Sequence, residues 1–203
     1  MNRKNIVVFI SGRGSNMEAL LDATLCPGYP ARIVAVFSDR FQASGLEKAK
    51  SKNIPVHVIE RKSFLSKKHH EDAILHLLAG YNADILCLAG YLSLISSHLI
   101  IPYQGRILNI HPSLLPLFPG LNPHQRVIES GMKITGCTVH LVTEEIDKGP
   151  IVAQAAVPIF QGDDKENLSL RVLRAEHCLY PRALEKFIKR ERIQTDENQM
   201  LLA

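Results

Sequence analysis

The chain has 203 residues, 46% of them hydrophobic and 22% charged, a composition typical of a folded domain that is long enough to bury a core. Its net charge is only +4 and its basic residues are scattered, which argues against a nucleic-acid partner and favours a small anionic substrate. No segment approaches the roughly 18 apolar residues of a membrane span, and the apolar run near the N-terminus is too short for a secretory signal, so we expect a cytoplasmic protein with no membrane partner.

Short apolar runs alternate with helical patterns through the first half of the chain. The runs are rich in β-branched residues and apolar on both faces, as strands are when helices cover both faces of a parallel sheet. Predicted strands cover residues 5–11, 32–38, 55–60 and 84–90, and predicted helices cover residues 16–25, 43–52 and 67–80. The alternation predicts an α/β fold with a doubly wound, mostly parallel sheet.

The pattern changes in the second half. Two strand-like runs, residues 136–145 and 150–159, predict an antiparallel hairpin added to the sheet. A charged, amphipathic segment from about residue 165 to 192 predicts a closing helix that Pro181 kinks or splits in two. The tail, residues 195–203, is expected to be loosely held. Because no repeat or linker interrupts the chain, residues 1–203 are predicted to form a single domain.

Cysteines and histidines outside the central region give weaker signals. The cysteines have no C-x-x-C spacing and no histidine at metal-ligand spacing, which predicts buried or half-buried free thiols, a reducing compartment and no metal site. They are Cys26, Cys87, Cys137 and Cys178. Three histidines in a polar helical segment are predicted to be solvated: His69, His70 and His76. His140 shares a strand face with Thr138 and either lines a cleft or is a half-buried hairpin residue.

A G-x-G loop, residues 12–14, stands between the first predicted strand and the first predicted helix. Backbone N–H groups and the positive end of a helix converge in such a turn, which makes it an anion site, and Ser15 and Asn16 add donors that also cap the helix. A nicotinamide site, with Asp39 on the ribose, would need a third glycine where Met17 stands. A tight turn without a ligand is the other alternative. We interpret the loop as a monophosphate site.

The stretch "RILNIHPS" presents an Asn and a His at the end of a predicted strand. Residues two apart on a strand point to the same face, so Asn109 and His111 can reach one substrate atom, and Pro112 ends the strand. An amide that stabilises an oxyanion and an imidazole that moves protons suit acyl transfer. Asp147 is a candidate for the carboxylate that orients the imidazole, although spacing alone does not bring it near His111. The alternative is a capping Asn beside a hydrogen-bonded His.

Five motifs, spread in order over residues 5 to 190, resemble those of the phosphoribosylglycinamide formyltransferase family. The members of this family are folate-dependent enzymes of purine biosynthesis. The motifs are "ISGRGSN", "LAGYLSLIS", "ILNIHPSLLPLFPG", "GCTVHLVTEEIDKGPIVAQ" and "EHCLYP". The resemblance implies a Rossmann-like formyltransferase core that acts as a monomer or homodimer. It also implies transfer of a formyl group from 10-formyltetrahydrofolate to the glycine amine of 5-phosphoribosylglycinamide.

The same resemblance implies roles for individual residues. His111 is the general acid/base, Asn109 polarises the formyl oxygen, and Asp147 orients and tunes the imidazole through ordered water. The residues implied to bind the ribonucleotide phosphate are Gly14, Ser15 and Asn16, and the residue implied to bind the ribose hydroxyls is Glu176. The residues implied to bind the folate are Asn109, Lys67, Leu92, Ser93, Leu94 and Ile95.

Some positions depart from the family pattern. Ser93 and Lys67 stand where the family often has arginine, and lysine lacks the planar fork that grips a carboxylate. The loop around His124 also differs, which leaves the role of that histidine open. Two related activities share the core: a methionyl-tRNA formyltransferase adds a C-terminal domain and a formyltetrahydrofolate hydrolase an N-terminal one, and we expect neither here. A nucleotide-binding module is an alternative of another class.

Overall fold

A computed structural model describes residues 3–190, which divide into two compact units between Leu108 and Asn109. The first unit contains β1 (Lys4–Ile10), α1 (Ser15–Leu25), β2 (Ala31–Ser38), α2 (Gly45–Ser51), β3 (Val56–Val58), α3 (Lys67–Gly80), β4 (Ile85–Leu88) and α4 (Ser97–Ile100). Strand β5 (Ile107–His111) crosses the division. The second unit continues with α5 (Pro123–Glu129), β6 (Ile134–Leu141), β7 (Ile151–Pro158) and α6 (Lys165–Lys189). The single-domain assignment of residues 1–203 stays a prediction.

The strands follow the order β3-β2-β1-β4-β5-β6-β7 in a seven-stranded sheet. In the first unit β1 pairs in parallel with β2 and β4, and β2 pairs in parallel with β3. In the second unit β6 and β7 form an antiparallel pair. The predicted α/β fold, a mostly parallel sheet with an added antiparallel hairpin, is therefore confirmed.

Burial explains why the apolar runs become strands. The side chains of β1 from Ile6 to Ile10 are at most 1% exposed, so both faces of this strand are covered, as its continuous apolar sequence predicts. In the second unit, α6 packs on β6 and β7 around a buried apolar cluster. The members of that cluster are Val127, Cys137, Val157, Leu168 and Val172.

Several boundaries differ from the predictions. The first strand of the hairpin, β6, ends before its predicted end at residue 145, and the second strand, β7, starts one residue after its predicted start at residue 150. Residues 142–150 between them form a loop that carries Asp147. Pro181 lies inside one continuous α6, so the predicted split does not occur, since Tyr180, Ala183 and Leu184 are fully buried on either side of the proline. Helix α5 was not predicted. Residues 191 and 192 of the predicted helix, and the predicted tail, lie outside the described residues.

Two predictions about burial are wrong. His70 is buried rather than solvated, and its Nε2 lies 2.8 Å from the Ile59 carbonyl oxygen, which satisfies the ring away from water. Cys26, at the C-cap of α1, and Cys178, on the outer side of α6, are exposed. Cys87 and Cys137 are buried as predicted. No helix within residues 3–190 is long and apolar enough to cross a membrane.

Candidate active site

Strand β5 ends with the two polar residues that the sequence singles out. Asn109 is half-buried, its strand neighbours Leu108 and Ile110 are buried, and His111 is only 6% exposed. Pro112 has no N–H to continue the ladder, so the strand stops at the predicted place. Both polar side chains belong to the second unit, where two further polar residues meet them.

Asp147 lies against the imidazole rings of two histidines. Its Oδ2 is 3.3 Å from His111 Nδ1, and its Oδ1 is 3.5 Å from His140 Nε2. The resemblance implied a link through water, whereas here the carboxylate approaches the His111 ring directly. The Gly120 N–H donates to Oδ2 at 2.8 Å and holds it there. Asp147 itself has φ 55, a left-handed conformation that aspartate tolerates better than most residues.

The Asp147 carboxylate is held ionised. Burial raises its pKa, but the neighbouring His140 ring, the hydrogen bond from the Gly120 N–H and the nearby His111 ring together outweigh burial, so the pKa lies below its ordinary value. A fixed negative charge beside His111 stabilises a positive imidazole ring whenever that ring takes up a proton.

His111 has an oxygen atom near each ring nitrogen. Nε2 lies 3.0 Å from the Phe118 carbonyl oxygen, and Nδ1 faces Asp147. Burial lowers the pKa of His111 below its ordinary value, and the Phe118 carbonyl and the Asp147 charge oppose this without reversing it. The resting ring is therefore neutral near pH 7. A neutral imidazole has one hydrogen for these two oxygens, so its other nitrogen has a lone pair that can receive a proton.

His140 sets the direction of the Asn109 amide. Asn109 Nδ2 is 3.1 Å from His140 Nε2, and His140 Nδ1 is 3.0 Å from the Leu141 carbonyl oxygen. Since a carbonyl only accepts, Nδ1 carries the hydrogen and Nε2 accepts one from the amide. The second amide hydrogen of Asn109 can then point to a substrate oxygen. His140 is thus buried in the same cluster as Asn109 and Asp147, rather than being a half-buried hairpin residue.

A buried polar network fastens the loop that follows β5. Thr138 Oγ1 donates to the Ser113 carbonyl at 2.7 Å and accepts from the Leu115 N–H at 3.0 Å. Gln154 Nε2 donates to the Leu115 carbonyl and to Thr138 Oγ1. Sequence patterns do not identify Gln154, and the one signal for Thr138 is that it shares a strand face with His140.

In the first unit, residues 11–14 turn the chain from β1 into α1. Gly14 has φ 70 and occupies the N-cap position, directly before Ser15. The prediction that Ser15 and Asn16 cap the helix is wrong, because both lie inside its first turn. Met17, at the third glycine position of a dinucleotide site, is fully buried. The first N–H groups of any α-helix have no intrahelical acceptor, so the loop keeps the geometry of an anion site.

The turn that follows β4 is tied down near both ends. The Leu92 N–H donates to Ser11 Oγ at 2.8 Å, and the Ser96 N–H donates to the buried carboxylate of Glu71 at 2.8 Å. These hydrogen bonds fix the backbone of residues 92–96, which is what a turn that recognises a ligand through its backbone needs.

Comparison with known proteins identifies the family. Residues 4–184 match the sequence family described as formyl transferase. The phosphoribosylglycinamide formyltransferase of Escherichia coli (strain K12) is 40% identical over 183 residues, which are 90% of this chain and 86% of that protein. This chain belongs to the formyl transferase family, among its phosphoribosylglycinamide formyltransferases.

Other members of the family extend the comparison. The crystal structure of phosphoribosylglycinamide formyltransferase from Brucella melitensis is 61% identical, with a TM-score of 0.90, and the match covers 92% of this chain and 96% of that one. The trifunctional purine biosynthetic protein adenosine-3 of Bos taurus is 44% identical over 183 residues. The match covers 90% of this chain but spans only 18% of that larger protein.

Apart from Asn109, the residues that the family resemblance links to folate lie in the first unit. Leu92 and Leu94 lie in one turn and are 60% and 65% exposed, so the turn presents apolar surface to solvent. Ser93 Oγ donates to Asp39 Oδ2 at 2.6 Å, so this oxygen of Asp39 is engaged within the protein rather than poised for the ribose of a dinucleotide. Lys67 is the first residue of α3.

Two further residues lie in the second unit. Glu176 is buried on α6, where its charge adds to the burial that raises the pKa of the Cys137 thiol. Burial, with the nearby charge of Lys165, lowers the pKa of His124. Within residues 3–190 no group of three His, Cys, Asp or Glu side chains is placed to hold a metal ion.

Proposed function

We propose that the chain transfers the formyl group of 10-formyltetrahydrofolate to the glycine amine of 5-phosphoribosylglycinamide and releases tetrahydrofolate. The observation that carries this proposal is the grouping of an amide, an imidazole and an ionised carboxylate around the end of β5. Such groups suit acyl transfer, because an amide N–H stabilises the oxyanion and an imidazole beside a carboxylate moves protons. The relatives named phosphoribosylglycinamide formyltransferase supply the substrate pair.

The reaction exchanges one carbon–nitrogen bond for another. The glycine amine attacks the formyl carbon, a tetrahedral oxyanion forms, and the bond from the formyl carbon to N10 of the folate then breaks. The free N–H of the Asn109 amide stabilises the oxyanion. His111 accepts the proton that the amine loses and delivers a proton to N10 as it leaves, while Asp147 stabilises the imidazolium between the two transfers.

Separate sets of residues are proposed to bind the phosphate and the ribose of the ribonucleotide. The backbone of Gly14 and the N–H groups and side chains of Ser15 and Asn16 at the N-terminus of α1 bind the phosphate. The buried carboxylate of Glu176 accepts hydrogen bonds from the ribose hydroxyls. The left-handed Gly14 and the strand-to-helix turn support the phosphate assignment.

The folate is proposed to bind at the turn formed by residues 92–95, with Asn109 at its formyl group. The tied backbone of this turn and its two exposed leucines support the assignment, because a flat pterin needs both hydrogen-bonding and apolar contacts. Lys67 is assigned to the negatively charged tail of the folate. The enzyme acts in the cytoplasm, as a monomer or homodimer, with small-molecule partners and without a metal.

A formyl-transfer assay tests the proposed function. Tetrahydrofolate release is followed with 10-formyltetrahydrofolate in the presence and absence of phosphoribosylglycinamide. We expect release that depends on the acceptor and yields formylated phosphoribosylglycinamide. Release at the same rate without acceptor would instead assign a hydrolase, and no release in either reaction would contradict both activities.

Replacing Ser15 by alanine is expected to raise the KM for phosphoribosylglycinamide by about tenfold, because a hydrogen bond to a charged phosphate is lost. The KM for the folate and kcat should change by less than about twofold. Steady-state kinetics with each substrate varied provide the measurement. Ser44→Ala, an exposed serine whose side chain makes no capping hydrogen bond, is the control. An unchanged KM in Ser15→Ala would remove this side chain from the phosphate site.

Replacing Asp147 by asparagine is expected to lower kcat by about tenfold or more and to move the acid limb of the pH profile to lower pH. His111 acts as a base only when it is neutral, so activity falls as pH drops through its pKa. Asp147 raises that pKa, and removing the negative charge therefore lowers it further. Asparagine also tolerates the left-handed backbone of this position.

The pH profile of kcat/KM distinguishes this electrostatic role from a general loss of fold. Glu145→Gln removes a negative charge from the same loop, at an exposed residue paired with Lys148, and should leave the acid limb where it is. An acid limb that stays in place or moves to higher pH in Asp147→Asn would contradict the assignment.

A further inference from the structure

Gly45, the first residue of α2, packs directly on the glycine loop, residues 11–14. Its N–H donates to the Gly12 carbonyl oxygen at 3.1 Å. A Cβ placed on Gly45 would lie 3.0 Å from the Gly14 Cα, and a Cβ placed on Gly14 would lie 3.0 Å from the Gly45 Cα. The backbones of two segments that are distant in sequence therefore touch with no side chain between them.

Space, rather than backbone conformation, excludes a side chain at Gly45. Its φ lies outside the left-handed region, so alanine could adopt the same backbone. The added Cβ would, however, lie 2.7 Å from Ile10 Cδ1 and 3.1 Å from the Gly12 carbonyl oxygen. Ile10 is fully buried, and a close-packed interior yields little to such a contact. Part of the misfit must then be taken up by the glycine loop.

We propose that Gly45 is a positioning residue for phosphate binding by the glycine loop, an inference that rests on the proposed function. The hydrogen bond to Gly12 and the close contact with Gly14 hold the turn in which the chain enters α1. That turn fixes the direction of the N–H groups of Ser15 and Asn16. A displacement of this loop by a few tenths of an ångström therefore weakens phosphate binding. It leaves the residues that transfer protons unchanged.

The experiment compares two acceptors, phosphoribosylglycinamide and the same compound without its 5-phosphate. In Gly45→Ala we expect kcat/KM for the phosphorylated acceptor to fall about tenfold, through KM, because small misplacements of binding groups have effects of this order. For the acceptor without phosphate, kcat/KM should stay within about twofold of wild type, as should the KM for the folate. Gly80→Ala, where an added Cβ meets nothing within 4 Å, is the matched control and should behave as wild type.

An equal loss with both acceptors, or no loss with either, overturns the proposal. The double variant Ile10→Val with Gly45→Ala lacks the close contact between the new Cβ and Ile10 Cδ1 but keeps the close contacts of that Cβ with Gly12 and Gly14. The same measurement is made on this double variant, which also serves if Gly45→Ala alone does not fold. Persistence of the phosphate-dependent loss in the double variant supports the proposal, and recovery to the wild-type value overturns it. If wild-type enzyme formylates neither acceptor, the proposed function fails, which is a different result from a loss that ignores the phosphate.

Discussion

Replacing His111 by alanine is expected to lower kcat at least about a hundredfold with little change in either KM, since general acid–base catalysis contributes factors of this size. Burial lowers the pKa of the ring, while the Phe118 carbonyl and the Asp147 carboxylate stabilise a proton that it takes up during the reaction. Alanine removes the sole group here proposed to carry a proton from the amine to the departing nitrogen. Steady-state kinetics at saturating concentrations of both substrates measure the loss.

A second measurement separates proton transfer from a structural role of His111. Free imidazole added to His111→Ala should restore part of kcat, because the variant leaves space where the ring stood, whereas a purely structural defect would not respond. His69→Ala, at an exposed histidine on α3, should retain the wild-type rate. Turnover by His111→Ala close to that of wild type would refute the proposed mechanism.

Replacing Asn109 by alanine is also expected to lower kcat about a hundredfold or more, which is the usual cost of losing one donor to an oxyanion. The His140 ring orients this amide, so the donor is in place before the reaction begins and pays no cost of reorganisation. The KM values should change little, because the interaction is made mainly in the transition state. Urea unfolding of the variant checks that the fold is retained.

The combination of both substitutions tests whether Asn109 and His111 act on the same step. Residues that serve one transition state have effects that do not add, so the double alanine variant should lose little more than either single variant. Losses that multiply would show that the two side chains act independently, and a wild-type rate in Asn109→Ala would contradict the oxyanion role.

The order of residues along β5 made half of this cluster predictable. Asn109 and His111 share a face because strand side chains alternate, and Pro112 marks the end of the strand. Asp147 could not be placed in the same way, since it lies on a separate loop whose length the strand pattern underestimated. Its position depends on a left-handed backbone and on the Gly120 N–H, neither of which leaves a periodic signal in the sequence.

Two of the differences from the predictions originate in tertiary packing, and a third originates in a local turn. Polar neighbours in the sequence suggested that His70 is solvated, yet its ring nitrogen lies within hydrogen-bond distance of the Ile59 carbonyl oxygen, which is outside the helix of His70. A split of the last helix at Pro181, one of the two outcomes predicted, does not occur, because the buried side chains around the proline keep the helix on the hairpin. The helix cap assigned to Ser15 and Asn16 lies at Gly14 instead, because the left-handed turn starts α1 one residue earlier. The predicted alternation of strands and helices is confirmed, because the apolar pattern on which it depends reflects which residues are buried.

The unequal exposure of the cysteines gives the protein chemical handles of its own. Cys26 lies exposed in the first unit and Cys178 lies exposed in the second, whereas Cys87 is buried, and burial raises the pKa of Cys137 and suppresses its thiolate. A thiol-reactive dye should therefore label one position in each unit of the natural sequence. A dye on either thiol would report in real time how its own surroundings respond as each substrate is added.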